Sequence, residues 1–195
     1  MEILGVSCIK GEIHSLLTLL RLHTKWATNS NRSSDYAMNE ESDLIVAFRN
    51  LNEYLEGYYD LKEVDCVNYI HPFHQIIVSE KASGPLTSAA LSSLSKFVLY
   101  GFLSADFPRA SEGINLIASS ISKCVFEETD WESDEVILMK LLELSTMCFR
   151  CDASTLLTVG AAWEIYSTCL SIRSQYRFEI FPLKFHILTC LNVAL

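Results

Sequence analysis

No apolar run in this chain reaches the ~20 residues needed to cross a bilayer. Glu2, Lys96, Glu164 and Lys184 interrupt the best candidates, so the chain does not read as membrane-spanning. The opening residues, Met1 to Cys8, lack the basic group of a secretory signal, and Glu2 opposes one; a cytoplasmic protein is expected. Basic residues are few. Lys and Arg number 15 against 24 Asp and Glu, a formal charge of −9, whereas affinity for nucleic acid is mostly neutralisation of phosphates by Lys and Arg. Nucleic acid is therefore set aside as a partner, and any membrane association should be peripheral and local. Strand signals are nearly absent too, with no Asn-Gly hairpin turn and no sustained alternation. Nor is there a phosphate-cradling glycine loop, a nucleophile elbow or a dinucleotide fingerprint. The reading is of a non-enzyme with no cofactor.

What the chain does have is apolar residues at helical spacing. Half of its 195 residues are apolar, at the upper edge for a soluble protein, which suits one domain with a real core and some surface hidden in an assembly. Ile9, Ile13, Leu16, Leu20 and His23 predict a helix from Glu2 to about Thr24. Gly11 weakens it by roughly 1 kcal/mol, tolerable if a neighbouring helix approaches there. Residues 27–41 are mostly Asn, Ser, Asp and Glu and are expected to form a mobile loop. Ser42 or Asp43 then caps a second helix with Leu44, Phe48, Leu51 and Leu55 as its buried line. Asp65 opens a third segment through Tyr69, Ile70, Phe73, Ile76 and Ile77; Pro72 inside it means a kink or, the reading preferred here, a helix that starts near Pro72. Pro108 introduces a fifth helix with Ile114, Ile117, Ala118 and Ile121 inward. Thr129 and Glu132 have capping-box spacing, Ser133-Asp134-Glu135 offers a competing cap, and either way a sixth helix runs to about Arg150. Leu156 to Ser171 reads as a seventh, and an eighth begins at Phe178 or Pro182 and is still apolar at Leu195, so the chain is expected to continue.

The fourth helix lies in the most informative stretch, Ser79 to Tyr100. Gly84-Pro85 is expected to end one helix and open the next. Ala90, Leu91, Leu94, Phe97 and Val98 then share one stripe that should face the core. Ser92, Lys96, Leu99 and Leu103 lie on the other side, a face too apolar to be simply solvated and either covered by a neighbouring helix or used for a partner.

Three groups of reactive side chains stand out. Cys148 and Cys151 have redox spacing, but at a helix end whose dipole disfavours a thiolate; with Cys8, Cys66, Cys124, Cys169 and Cys190 they read as reduced core thiols. His71 and His74, with Cys66 nearby, have no second ligand pair, so no metal site is expected. The acids from Glu127 to Glu135 read as a solvated, capping cluster.

Gly84-Pro85-Leu86-Thr87, Ala90-Leu91, Ser95-Lys96-Phe97 and Tyr100 resemble the signature of the N-terminal dimerisation and cyclophilin-binding domain of large Arf guanine-nucleotide exchange factors, best the Golgi brefeldin A-resistance type. Gly11-Glu12-Ile13, Lys25-Trp26, Pro72-Phe73, Ile76-Ile77, Ser79-Glu80 and the run from Ser133 to Lys140 extend the resemblance in order along nearly the whole chain. It implies an all-α fold, an armadillo- or HEAT-like right-handed stack of about seven to eight antiparallel helices. It also implies a non-catalytic N-terminal regulatory domain in Golgi and early secretory traffic, pairing with a second copy and docking an adjacent downstream helical domain of its own protein. A cyclophilin or a Rab GTPase is a further implied partner, and Arf is engaged through an exchange domain downstream. Lys96 and Glu135 match family positions implicated in pairing two copies, with Ser92, Leu99 and Leu103 as the surrounding contact. The rival reading is a stand-alone helical scaffold or tether in membrane traffic with no exchange domain.

Overall fold

The computed structural model describes residues 2–29, 35–80, 82–125 and 131–175, without the side chains of 2–4, 23–29, 35–42, 131–133 and 173–175. Among the described residues there are seven α-helices, short 3₁₀ turns and no strand, so the all-α expectation holds. The expected eighth helix lies outside them. The chain divides into two compact units, up to Val64 and from Asp65 onward.

In the first unit α1 (Glu2–Asn29) packs along α2 (Asp35–Tyr54), followed by 3₁₀ turns at Leu55–Gly57 and Leu61–Glu63. Ile9, Ile13, Leu16 and Leu20 are buried as their spacing required, as are Phe48, Leu51 and Leu55. Leu44 is only half-buried, and the side chain of His23 lies outside the described residues. Among the described residues no neighbour approaches Gly11: a Cβ there would meet none of them within 4 Å. Both helices exceed their expected limits. Residues 27–29 and 35–41 of the expected loop are helical backbone, and 30–34 lie outside the described residues. Polar composition did not bar helix there, because Ala37, Met38, Glu40 and Glu41 are good helix formers and Asp35 is an acid at the favourable end.

The second unit starts with α3 (Cys66–Ile77), capped by Asp65, whose carboxylate accepts from the Val67 amide at 2.8 Å. Pro72 sits inside this helix instead of starting it. Pro72 leaves the Asn68 carbonyl without its i+4 donor, but Asn68 is exposed and water can serve.

Next comes α4 (Gly84–Leu99), with Ser83 at the N-cap position. Gly84 does not end α3. It is the buried first residue of α4, where an added Cβ would come into ordinary van der Waals contact with Ile137. Ala90, Leu91, Leu94, Phe97 and Val98 are all buried. The Phe97 ring packs edge-on against Phe73 at 5.1 Å and Tyr69 at 6.0 Å between centroids. At the C-terminus Gly101 adopts φ 70°, which lets the Gly101 amide donate to the Val98 carbonyl and the Phe102 amide to the Phe97 carbonyl. This turn ends the helical register.

α5 (Ala110–Ser122) buries Ile114, Ile117, Ala118 and Ile121. Its Gly113 faces α3 so closely that a Cβ would stand 2.9 Å from the Cβ of Cys66. α6 (Trp131–Arg150) pairs extensively with α4, and α7 (Val159–Gln175) packs on α5. Since α6 starts at Trp131, Ser133 lies inside the helix instead of capping it, with Asp134 and Glu135 following, and Asp134 is buried, not solvated. α7 starts later than Leu156 because a 3₁₀ turn, Asp152–Leu156, intervenes. Asn115 on α5 fixes that junction: its amide donates to the Leu156 carbonyl, and its oxygen accepts from the Thr158 amide and hydroxyl at 3.0 and 2.9 Å. The Thr158 hydroxyl in turn caps the Ala161 amide.

Candidate protein-contact face on α4 and α6

The inward residues of α6, Ile137, Leu138, Leu141, Leu142, Leu144 and Cys148, are buried, so the remaining positions must turn outward. Glu135, Met139, Glu143, Met147 and Arg150 recur at three- and four-residue steps along that outer side, all exposed or half-exposed. On α4 the complementary positions are Ser88, Ser92, Lys96 and Leu99. Lys140 joins the two helices, its ammonium donating to Ser88 Oγ at 2.8 Å and to the Ser88 carbonyl at 3.2 Å. Burial pushes that amine down; Glu143 pulls it back up and the Lys96 charge depresses it further. Lys96 is thus within electrostatic reach of α6.

Two hollows border the outer side of α6, one of them also lined by the end of α4. The larger, about 490 Å³, is lined by Val98, Leu99, Leu103, Glu143, Met147 and Arg150 among others. The smaller, about 320 Å³, is lined by Glu135, Val136, Met139, Lys140 and Glu143. Leu99 of α4 shares the larger hollow with Glu143, Met147 and Arg150 of α6, while Glu135 borders the smaller one with α6 residues alone; Ser92 and Lys96 line neither. Leu99 is 62% exposed. Leu103 is a correction: it is 1% exposed and forms part of a hollow's wall instead of standing out as a contact. The physical reason is Gly101, whose left-handed turn ends α4 before the helical projection reaches Leu103. Sequence reasoning did not assign Lys140, Glu143, Met139, Met147 and Arg150 to this face. Their helical spacing from Glu135 was the available signal.

The other candidate residues lie elsewhere. Cys148 is buried and burial pushes the Cys151 thiol up. Cys66 is buried with its thiol facing the Tyr69 oxygen at 3.3 Å, the Tyr69 proton going to the Phe102 carbonyl. The rings of His71 and His74 are 6.3 Å apart, and no group of three or more His, Cys, Asp or Glu among the described residues is arranged to hold a metal. His74 Nδ1 lies 2.9 Å from Ser120 Oγ, which itself donates to the Leu116 carbonyl. A hydroxyl has one proton, so His74 is the donor in this pair. Burial, with the charges of His71 and Lys123, lowers its pKa to about 4. No described helix is long and apolar enough to cross a membrane.

No family model matches the chain. Over most of its length it is homologous to one stretch of the large Arf guanine-nucleotide exchange factors. It is 29% identical to the ARF guanine-nucleotide exchange factor GNL1 of Arabidopsis thaliana over 87% of this chain and 12% of that protein. It is 27% identical to Arabidopsis GNOM, with coverages of 86% and 11%. It is 28% identical to the Golgi-specific brefeldin A-resistance guanine nucleotide exchange factor 1 homolog of Caenorhabditis elegans, with coverages of 86% and 8%. The chain thus spans about a tenth of the length of the curated relatives it matches.

Proposed function

We propose that this chain is a non-catalytic, N-terminal dimerisation and regulatory region of a Golgi-type Arf exchange factor. The observation that carries the reading is the homology over 87% of the chain to a small part of a large Arf exchange factor. The geometry is compatible with it, because Lys96 on α4 is exposed and Glu135 on α6 is half-exposed, so both can reach a partner. In this reading two copies meet through that face about a two-fold axis, so that Lys96 of each meets Glu135 of the other. An exposed charge pair contributes only ~0.2 to 1 kcal/mol, so orientation is its main role. Leu99, Met139 and Met147 supply the apolar centre, and a stable contact needs about 800 Å² from each copy.

Nucleotide exchange on Arf, docking of an adjacent helical domain, a cyclophilin or Rab GTPase partner and peripheral placement at Golgi membranes belong to the longer protein in this reading. The test is light scattering on the chain and on Lys96→Glu and Glu135→Lys. The reading expects a dimer mass that falls in each single variant while helical circular dichroism is kept. An unchanged dimer mass in both would refute it.

A further inference from the structure

Lys140 reaches from α6 to α4, where the Ser88 carbonyl accepts from its ammonium at 3.2 Å and from the Ser92 hydroxyl at 3.0 Å. One oxygen thus ties an ammonium and a hydroxyl to the same spot. The Ser88 hydroxyl accepts a second ammonium proton at 2.8 Å. An ammonium has three, so among the described residues one N–H of Lys140 is left for another acceptor. Lys96 is exposed and follows Ser92 by one turn on the same side of α4. Burial lowers the Lys140 pKa, Glu143 raises it and the Lys96 charge lowers it again, so the two ammoniums act on each other beside Ser92. Two bases against the one acid Glu143 leave this spot positive on a chain whose formal charge is −9.

We propose that Lys140 is a contact residue between two copies of the chain, its ammonium sharing with Lys96 the carboxylate of Glu135 from the second copy. This rests on the dimer reading above and adds to it a second cation for the incoming acid. A carboxylate carries two oxygens with about four lone-pair sites, so it can accept from both ammoniums at once. Like charges held close oppose each other in the free chain, and an acid placed between them removes that repulsion while adding two attractions. Acceptor and acid belong to the same unit, with Lys140 and Glu135 both on α6, so a two-fold axis presents each to the other twice.

The test is the dimer dissociation constant, read from particle mass against concentration, for the complete chain, Lys140→Met, Lys140→Arg, Glu135→Gln and the double variant Lys140→Met with Glu135→Gln. Two such contacts per dimer, each worth about threefold, predict a Kd about tenfold weaker in Lys140→Met. Lys140→Arg keeps the charge and should stay close to the unaltered chain. Once Glu135 is neutral, Lys140→Met should weaken the dimer no further. If Lys140 served only to fasten α6 to α4, its loss would weaken the dimer equally with and without the Glu135 charge; that result would overturn the proposal. So would a Kd that Lys140→Met leaves unchanged, which would assign the spot to a different acid. Lys96→Glu separates this inference from the reading it rests on. Mass that falls in Lys96→Glu but not in Lys140→Met rejects Lys140 alone, whereas a monomeric chain, or a dimer indifferent to both Lys96→Glu and Glu135→Lys, rejects the dimer reading and this inference with it.

Discussion

Lys140 of α6 and Ser88 of α4 are joined twice, through the serine hydroxyl at 2.8 Å and its carbonyl at 3.2 Å. A half-buried ammonium therefore fastens the outer edge of the α4–α6 pair, over which the buried side chains of both helices close. Lys140→Met keeps the aliphatic stem and removes both bonds. The expected loss is about 1–2 kcal/mol, reduced from the full value for charged hydrogen bonds because the group is partly exposed. Urea titration measures it, and an unchanged midpoint would mean the contact does not hold the helices together.

Phe97 is fully buried between Phe73 and Tyr69. Phe97→Ala should cost about 3–5 kcal/mol, the lost transfer energy plus the cavity left behind. Thermal melts showing no loss would place Phe97 outside the core.

Gly11 and Gly113 should respond with opposite signs to the same change. Gly11 sits in an exposed helix interior with open space around it, so Gly11→Ala should stabilise the chain by roughly 1 kcal/mol. Gly113→Ala would put a methyl group 2.9 Å from the Cβ of Cys66, and forcing α3 and α5 apart should cost about 1–3 kcal/mol. Denaturant midpoints that move the same way for both would contradict these placements.

His74 is held neutral in the folded chain, with its pKa lowered from 6.5 to about 4. Between those values the unfolded chain binds the proton that the folded one refuses. The associated stability is present above pH 6.5 and is lost as pH falls through about 4. Allowing for partial exposure, the loss is about 1–3 kcal/mol. Comparing denaturation of the unaltered chain and His74→Gln from pH 7 to pH 4.5 isolates it, since the variant should lose less. Parallel curves would contradict the assignment.

The inward stripes were legible in the sequence because periodicity alone decides them: Ile9 to Leu20, Ala90 to Val98 and Ile114 to Ile121 are buried as read. Boundaries were less legible. Pro72 stays within α3 because its missing donor affects a carbonyl that solvent can reach, and α2 starts at Asp35 because polar helix formers resemble loop composition. Close approach left little trace, since nothing local to Gly113 announces Cys66 across from it. Lys96, Leu99 and Glu135 could be placed on surfaces from the pattern, but which residues of α6 lie beside Leu99 depends on how that helix packs on α4. Leu103 failed for a local reason, the turn at Gly101.

The most direct measurement is the particle mass of the double swap, Lys96→Glu with Glu135→Lys, beside the two single variants. If Lys96 of one copy meets Glu135 of the other, each single variant lowers the mass toward that of a monomer and the double swap restores the dimer. A double swap no better than either single variant, with all three folded, would contradict the account.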